Sequence, residues 1–330
     1  MSFELILPFF RPIESLLLDD SVSEIMGNPD GKWWFERRGI MERAEGVGFG
    51  FKALQTGLEV IANHLGKMLD EEHPLLNVQL PDGSRLAAVL PPVVRPGPAV
   101  TIRKFRKQRF TIADLIQAGS LTEEMAEFLC LQVLDGKTLL ISGGTGSGKT
   151  TLLNALADFI PDDERIVVIE DTAELRISKQ NLLAAECQVE SFKGKVDFTA
   201  LLKAALRWRP DRIILGEVRG EEARTLLDSF NTGHGGSMAT IHANSALKAL
   251  RKFGEFAMRA HQQATRDDLA DEIGDSVDYV VQVQRYADGR KVREIVHVKG
   301  YNRELKVYDC DTVFSLLPDS SLIPPTTIGA

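Results

Sequence analysis

The amino-acid sequence predicts an α/β protein in which a smaller α+β domain precedes a parallel sheet with helices on both faces. From residue 138 onward, apolar strand-like segments alternate with helical segments, which is typical of parallel sheets. Earlier in the chain, short strands and turn signals surround a single amphipathic helix. With 330 residues, 44% of them hydrophobic, the chain can bury two cores. We therefore predict domains at residues 1–104 and 105–330, the second ending in a flexible carboxy-terminal tail.

Charge and cysteine content narrow the function classes. The chain has 39 Lys and Arg against 47 Asp and Glu, a net charge of -8, which argues against a broad nucleic-acid-binding surface. Its three cysteines, Cys130, Cys187 and Cys310, are far apart and form neither a disulfide framework nor a zinc-binding pair. We therefore expect a cytoplasmic protein without a specific nucleic-acid partner.

The amino-terminal residues are apolar but do not read as a signal peptide or a membrane span. Charged residues and Pro12 interrupt them, and no run approaches the roughly 20 apolar residues that cross a bilayer. Phe3, Ile6, Phe9 and Phe10 either pack in a core or form an interfacial lipid patch. The second alternative implies peripheral contact with the inner membrane.

The first domain is expected to combine a hairpin, a helix and short strands. The turn signal Asn28-Pro29-Asp30-Gly31 predicts a hairpin over residues 22–40. Apolar residues at three-to-four spacing predict a helix over residues 51–69. Turn residues separate three further predicted strands, at residues 77–80, 85–90 and 99–103.

A basic segment marks the predicted domain boundary. Five of the seven residues from Arg103 to Arg109 are basic, and a helical pattern through Ile112, Leu115 and Ile116 follows. Such a segment is either a solvated or nucleotide-facing linker or a phosphate-binding patch of a nucleic-acid translocase. The acidic chain as a whole favours the linker.

The second domain is predicted to repeat strand, loop and helix. Predicted strands lie at residues 139–142, 166–169, 213–215 and 237–241, and predicted helices at 150–160, 198–206 and through Leu226, Leu227 and Phe230. Two more strands, at residues 277–283 and 292–298, flank the turn Asp288-Gly289, and residues 322–327 form a frayed tail.

A glycine-rich loop carries the strongest chemical signal. Residues 143–150 read GGTGSGKT, which satisfies G-x-x-x-x-G-K-[ST] between a predicted strand and a predicted helix. Backbone N–H groups of such a loop surround phosphates, its lysine reaches the β and γ phosphates, and its threonine ligates Mg²⁺. As a loop lysine, Lys149 is expected to be exposed and to contribute little to the core. The predicted nucleotide-binding residues are Gly143, Gly144, Thr145, Gly146, Ser147, Gly148, Lys149, Thr150 and Thr151.

Acidic residues follow two of the predicted strands. Because ligands of α/β sheets bind beyond the carboxyl ends of strands, Glu170 and Glu217 are expected to face the glycine-rich loop. Gly216 stands where an aspartate usually helps to hold Mg²⁺, so Glu217 is expected to take the metal role with Thr150. Glu217 is also the first candidate for the group that activates water, and Glu170 is the second.

Two histidines lie near the same predicted edge. His242 follows a strand, where a neutral imidazole can hydrogen-bond a phosphate and respond to its loss, whereas His234 follows a glycine-rich helix end. We regard His242 as a candidate catalytic residue and leave His234 between a structural and a functional role.

Four motifs in order resemble the traffic ATPases of the type II and type IV secretion superfamily: GGTGSGKTT, IEDTAEL, RPDRIILGEVRG and TGHGGSMATIHAN. Amino-terminal segments, including DGSR at 82–85 and TIRKF at 101–105, resemble the branch of type IV secretion and conjugal transfer. The resemblance implies a RecA-like P-loop core and a homohexameric, Mg-dependent ATPase that works with secretion or pilus membrane-complex proteins. It places Glu170, Asp171 and Glu174 in an acidic box, and His234 and His242 in a histidine box. It also implies that Arg85 and Arg103 reach the nucleotide phosphates, and Arg219 follows the glutamate of the Walker B strand.

Other functions stay open at this stage. Motors of type IV pili, of tight-adherence pili and of type II secretion are the nearest alternatives, although type II assembly ATPases typically carry a four-cysteine zinc module. A nucleic-acid translocase and a nucleotide-gated scaffold that barely hydrolyses are more distant alternatives. The complete acidic motifs argue against the scaffold.

Overall fold

The computed structural model describes residues 6–37, 39–105, 109–187, 196–260, 264–316 and 322–323. The chain divides into two compact units, Met1–Gln108 and Arg109–Ala330. Each unit has its own sheet and its own buried hydrophobic residues. Within the described residues, no helix is both long enough and apolar enough to cross a bilayer.

The amino-terminal unit is a six-stranded antiparallel sheet with one long helix. Strands lie in the order β3-β2-β1-β6-β5-β4, and the predicted hairpin is confirmed as the β1–β2 pair. The predicted helix ends earlier than expected, at His64. The strands are β1 (Val22–Gly27), β2 (Trp33–Arg37), β3 (Ile40–Arg43), β4 (Leu75–Gln79), β5 (Arg85–Val89) and β6 (Ala99–Arg103), and the α-helices are α1 (Glu14–Leu18) and α2 (Phe51–His64), after a 3₁₀ helix at Leu7–Ile13.

The apolar amino-terminal residues pack inside this unit. Ile6 is fully buried and Phe10 is 1% exposed, and both belong to the cluster that contains Trp33. Phe9 packs against Gly57 on helix α2. The packing interpretation of this segment is therefore confirmed for these residues, whereas Phe3 lies outside the described residues.

The carboxy-terminal unit contains a nine-stranded sheet in the order β15-β14-β13-β12-β7-β11-β10-β8-β9. The six strands from β12 to β9 in this order are parallel, and β13, β14 and β15 extend the sheet as antiparallel neighbours. Their bounds are β7 (Leu139–Gly143), β8 (Ile166–Glu170), β9 (Leu182–Glu186), β10 (Arg212–Val218), β11 (Met238–Ile241), β12 (Tyr279–Tyr286), β13 (Gly289–Asn302), β14 (Val307–Leu316) and β15 (Leu322–Ile323).

Helices cover both faces of this sheet, as predicted. Alternate residues of β7 point to opposite faces: Leu139 and Ile141 belong to one buried cluster and Leu140 to the other. Helices α4 and α5 contribute to the first cluster, and α7 and α8 to the second. The helices are α3 (Ile112–Gln117), α4 (Glu123–Leu134), α5 (Lys149–Leu156), α6 (Phe198–Ala205), α7 (Glu222–Asn231), α8 (Ala246–Ala260) and α9 (Arg266–Ser276), with a 3₁₀ turn at Ala157–Phe159.

The topology places the chemical motifs together. Strands β7, β11, β10 and β8 are neighbours and parallel, so their carboxyl ends lie at one edge of the sheet. The glycine-rich loop follows β7, Glu170 ends β8, Glu217 lies near the end of β10, and His242 follows β11. The sequence-based expectation that these groups share one edge is confirmed.

Candidate nucleotide-binding site

The glycine-rich loop joins the buried strand β7 to helix α5. Gly146 and Gly148 have φ of 65° and 98°, in the left-handed region that favours glycine. A side chain at Gly143 would collide with the carbonyl oxygen of Val283 and the hydroxyl of Ser147. The hydroxyl of Ser147 is buried without a hydrogen-bond partner within the described residues. The backbone is therefore shaped for close approach of a ligand, as phosphate binding requires.

Lys149 begins helix α5 and is 6% exposed, so the expectation of an exposed loop lysine is wrong. Its Nζ donates to the carbonyl oxygens of Gly143 and Gly144, at 3.1 and 3.0 Å. Burial lowers the pKa of Lys149 to about 8, although the carboxylate of Glu217 acts in the opposite direction. Because the buried ammonium group of Lys149 is held mainly by carbonyl oxygens, the negative charge of a nearby phosphate would stabilise it.

Arg290, which the sequence analysis did not single out, reaches the loop from strand β13. Its Nε donates to the carbonyl oxygen of Gly146 at 2.7 Å, and its aliphatic part lies next to Gly148. The two-residue turn between β12 and β13 brings Arg290 there. No local motif marks this residue, because its partner is 144 positions away in the sequence.

Glu170 ends strand β8 with only 5% of its surface exposed. Its Oε1 accepts hydrogen bonds from the backbone N–H groups of Glu174 and Leu175, at 2.9 and 3.0 Å. Burial raises the pKa of Glu170 to about 7, and the two backbone hydrogen bonds oppose that shift only in part. The carboxyl group of Glu170 therefore titrates near neutral pH.

Gly216 lies beside Glu170 on the neighbouring strand β10. A Cβ atom at Gly216 would lie 3.1 Å from Cγ of Glu170. The place where an aspartate usually stands is thus crowded by Glu170. A glycine at this position leaves room for the Glu170 side chain, and any larger residue would displace it.

Glu217 is 19% exposed and lies in a network of charges. Arg219 contacts both of its carboxylate oxygens, with Nε 2.9 Å from Oε1 and an Nη 3.0 Å from Oε2. The other Nη of Arg219 donates to Asp171 at 2.6 Å. Burial acts to raise the pKa of Glu217, but Arg219, His242 and Lys149 together lower it below its ordinary value. Glu217 is therefore ionised at neutral pH.

His242 connects Lys149 and Glu217. Its Nε2 is 3.4 Å from Oε2 of Glu217, and its ring nitrogens are 3.4 and 3.5 Å from Nζ of Lys149. Burial lowers the pKa of His242, and the charge of Lys149 adds to this effect. A neutral imidazole next to a cation and a carboxylate can accept or donate one hydrogen bond as a phosphate arrives.

His234 lies outside this network. Its Nδ1 is 3.1 Å from the carbonyl oxygen of Ser229, one turn back in α7. Residues 232–237 lead from α7 to β11, so this contact holds the end of the helix. The structure therefore gives His234 a local structural contact.

Arg85 and Arg103 belong to the amino-terminal unit and lie opposite each other in the antiparallel pair β5–β6. Glu24 of β1 lies opposite Arg103 on the other side, so the three side chains share one rung of the sheet. Arg103 is exposed and Arg85 is partly buried. Like charges directly opposite each other are unfavourable, and the carboxylate of Glu24 on the same rung interacts with Arg103.

Two of the described cations of the basic segment contact groups of the protein itself. Nζ of Lys104 donates to the carbonyl oxygens of Leu16 and Asp19, at 3.3 and 2.6 Å, and Arg109 forms an ion pair with Asp158. Residues 106–108 of the segment lie outside the described residues. Lys104 and Arg109 are thus engaged with protein groups, whereas Arg103 is exposed.

The residues present fit a nucleotide with Mg²⁺. Within the described residues, no cluster of three or more His, Cys, Asp or Glu side chains could hold a metal by itself. Mg²⁺ bound with a nucleotide takes only one or two protein ligands, the rest being phosphate oxygens and waters. Thr150 on α5 and Glu217 on β10 could supply those ligands at the edge where the loop is shaped for phosphates.

The chain is similar in sequence to proteins of secretion and conjugal-transfer systems. The family described as type II/IV secretion system protein matches residues 10–312. The conjugal transfer protein TrbB of Rhizobium radiobacter is 40% identical over 290 residues, which cover 86% of each chain. The type IV secretion system protein PtlH of Bordetella pertussis is 34% identical over 303 residues, covering 84% of this chain and 89% of that one.

A solved structure shows a similar fold. The ATPase DotB of Yersinia pseudotuberculosis superposes with a TM-score of 0.63 and 17% identity, covering 93% of this chain and 81% of that chain. At that identity the match concerns the fold alone. The expected fold class, an α/β RecA-like core with a smaller α+β amino-terminal domain, is confirmed.

Proposed function

Because the chain belongs to the type II/IV secretion system protein family, we propose that it hydrolyses ATP to drive a type IV secretion or conjugal-transfer machine. The names of the relatives TrbB and PtlH support this branch over pilus and type II secretion motors. Under this proposal the protein works at the cytoplasmic side of membrane-complex proteins of the machine.

The contacts of Lys149 are the observation that carries the proposal. Burial lowers the pKa of Lys149 to about 8, and the adjacent loop contains two left-handed glycines. A strongly negative ligand would stabilise the buried ammonium group. The charge of a triphosphate would replace the weaker attraction of the two carbonyl oxygens. Arg290 would hold the loop in place through Gly146.

In the proposed reaction, Thr150 and Glu217 would hold Mg²⁺, which when bound would neutralise charge on the phosphates. Glu217 also orients the attacking water, because it is ionised and lies at the same strand end. Glu170 is the second candidate for this role, and Glu174 and Asp171 complete the acidic edge. His242 lies between Lys149 and Glu217 and is proposed to bind the terminal phosphate.

Arg85 and Arg103 are proposed to reach the phosphates from the amino-terminal unit when nucleotide binds. They lie opposite each other on β5 and β6, so one phosphate group could contact both. We propose that the chain forms a homohexamer, as symmetric rings supply a neighbouring surface to each site. Nucleotide should then close amino-terminal units that are spread without it.

Turnover of Mg-ATP by purified Lys149→Ala protein tests the proposal. We expect turnover to be abolished with the fold intact, whereas Lys203→Ala, which removes an exposed lysine of α6, should turn over ATP like the wild type. Thermal unfolding of each variant verifies the fold. Wild-type turnover in folded Lys149→Ala protein would contradict the assignment.

The ring and the arginines need a separate measurement. Light scattering and small-angle X-ray scattering, with and without a non-hydrolysable ATP analogue, should show a hexamer that becomes more compact. Arg103→Ala should lower turnover more than about tenfold, since arginine contacts to phosphoryl groups give large rate effects. Two results together would contradict the proposed hexamer and the proposed role of Arg103. They are a protein that stays monomeric at micromolar concentration with and without the analogue, and an Arg103→Ala variant with unimpaired turnover.

A further inference from the structure

Helix α8 presents a basic face next to the glycine-rich loop. Lys248, Arg251 and Lys252, with Glu255, line a cavity of about 580 Å³ that also contacts Gly144, Thr145 and the residues after β11. We call Lys248, Arg251 and Lys252 the basic face of α8. Lys252 is engaged locally, because its Nζ donates to the carbonyl oxygen of His242 at 2.6 Å.

The other two cations have no acidic partner among the residues of their unit that the structure describes. Lys248 and Arg251 are exposed, and no ion pair of either one occurs in the described part of the chain. Leu247, beside them on the same helix, is 46% exposed. A cavity lined by excess positive charge and flanked by an exposed leucine suits a partner that carries carboxylates and some apolar surface.

Helix α4 presents a surface with the opposite character. Its buried side faces the sheet, and its outer side carries Glu123, Glu124 and Glu127, followed by Leu131 and Leu134. We call these five residues the acidic stripe of α4. The two leucines are 55% and 48% exposed, and the helix contains no Lys or Arg.

The acidic residues of this stripe also show no ion-pair partner in the described ranges of the chain. No ion pair of Glu123, Glu124 or Glu127 occurs within the described residues. The first two lie in the first turn of α4, where negative charge is favourable for the helix itself. Glu127 lies one turn later, so the charge at the start of the helix does not explain its presence.

The two surfaces lie on opposite sides of one sheet. Buried residues of α4 pack with Leu139 and Ile141 of β7, whereas those of α8 pack with Leu140. Two copies related by a two-fold axis through the basic face would oppose like charges. Two copies arranged head to tail would instead bring the basic face of one against the acidic stripe of the next, and such contacts form a ring when the rotation between copies closes.

We infer that the basic face of α8 binds the acidic stripe of α4 in a second copy of this chain. The inference rests on the homo-oligomer under Proposed function and specifies which surfaces build it. Since Gly144 and Thr145 border the same cavity, the neighbour's carboxylates would lie beside the glycine-rich loop. Each subunit contact would then respond directly to the state of a nucleotide site.

Two complementary charge reversals test this pairing. The first variant carries Lys248→Glu and Arg251→Glu, and the second carries Glu123→Lys and Glu127→Lys. Each alone opposes like charges at every subunit contact and should associate at least about 100-fold more weakly than the wild type, because such juxtaposition costs several kcal/mol. Mass photometry and light scattering at a series of protein concentrations measure this.

Mixing the two variants gives the sharper result. The reversed basic face of one variant matches the reversed acidic stripe of the other, and the unaltered surfaces match as well. An equimolar mixture should therefore recover the wild-type assembly, with the two variants alternating, which a mass tag on one of them detects. Recovery in the mixture also shows that both variants are folded.

Matched controls separate this pairing from a general effect of charge. Lys203→Glu with Arg207→Glu makes the same change in net charge on the exposed surface around α6, and Glu71→Lys with Glu72→Lys makes the opposite change in the first unit. Both should assemble like the wild type.

Three outcomes would overturn the pairing. Normal assembly of each variant alone, or no recovery in the mixture, contradicts it while the ring itself stands. A wild-type protein that stays monomeric contradicts both the pairing and the proposed ring. A wild-type protein that assembles as expected but does not hydrolyse ATP would contradict the proposed function and leave the pairing intact.

Discussion

Glu170 and Glu217 end neighbouring parallel strands, yet the protein treats them in opposite ways. Glu170 is almost completely buried, accepts two backbone N–H groups and has a pKa raised to about 7. Glu217 is more exposed, is paired on both oxygens with Arg219 and has a lowered pKa. The surroundings and not the residue type determine which carboxyl group carries charge.

This difference suggests separate tasks. A permanently ionised carboxylate can hold a cation and orient water, which suits Glu217. A carboxyl group that is half protonated near neutral pH and fastened to the backbone N–H groups of Glu174 and Leu175 shapes the loop after β8. Four substitutions can break or sharpen this contrast.

The largest effect is expected from Glu217→Gln. The amide keeps the size but removes the charge, so Mg-ATP should bind about as well and be hydrolysed between about 100-fold and 10,000-fold more slowly. Steady-state turnover and nucleotide titration measure the two quantities. Glu170→Gln is the matched variant and should be less impaired, and if instead Glu170→Gln is inactive and Glu217→Gln active, the two roles are reversed.

The pH dependence of stability should reveal Glu170. Its pKa is about 7 in the folded protein against 4.5 as the ordinary value, so between these pH values the folded state binds more protons than the unfolded state. The free energy of unfolding therefore falls as pH rises through this window, by about 3 kcal/mol in all. Chemical denaturation at several pH values should show a smaller decline in Glu170→Gln than in the wild type. Equal slopes would show that Glu170 is an ordinary carboxylate.

Arg219→Gln should make Glu217 more like Glu170. Without the Arg219 guanidinium, burial dominates and the pKa of Glu217 rises. Glu217 is then protonated at a higher pH than in the wild type, so turnover should also decline at a higher pH. We expect the acidic limb of the pH–kcat profile to move to higher pH. Arg224→Gln breaks ion pairs to Asp228 and Glu272 instead and should leave the limb unchanged. An unmoved limb in Arg219→Gln would separate turnover from the ionisation of Glu217.

Gly216→Ala should have the smallest effect. The new methyl group would lie 3.1 Å from Cγ of Glu170, whose carboxyl group is fastened by two hydrogen bonds and cannot easily move. We expect a loss of about 1 kcal/mol of stability, at the lower end for overpacking. Gly235→Ala is the control, since its new atom meets Gly136 at an ordinary 3.5 Å. Equal stability of the two variants would mean that Glu170 has room to shift.

The sequence predicted the part of the site whose residues are contiguous. The loop from Gly143 to Thr150 is one local pattern, and the alternation of strands and helices is enough to bring Glu170, Glu217 and His242 to the same edge. Helix α8 is absent from the predicted elements, although Ala249, Leu250, Phe253 and Phe256 repeat at helical spacing and were available as a signal.

Long-range contacts account for what the sequence did not predict. The burial of Lys149 and the contrast between the two glutamates depend on neighbours from other strands and helices. Arg290 reaches Gly146 only because β12 and β7 pair in the folded sheet. No pattern within a short window of sequence contains that information.

The contact of Arg290 restricts the length of an exposed turn. Ala287 and Asp288 are exposed, and surface turns of this kind ordinarily accept extra residues. Here, however, one added residue that shifts the start of β13 by one position would send the Arg290 side chain to the other face of the sheet, away from Gly146. Natural variation in this hairpin should therefore preserve the number of residues more strictly than their identity.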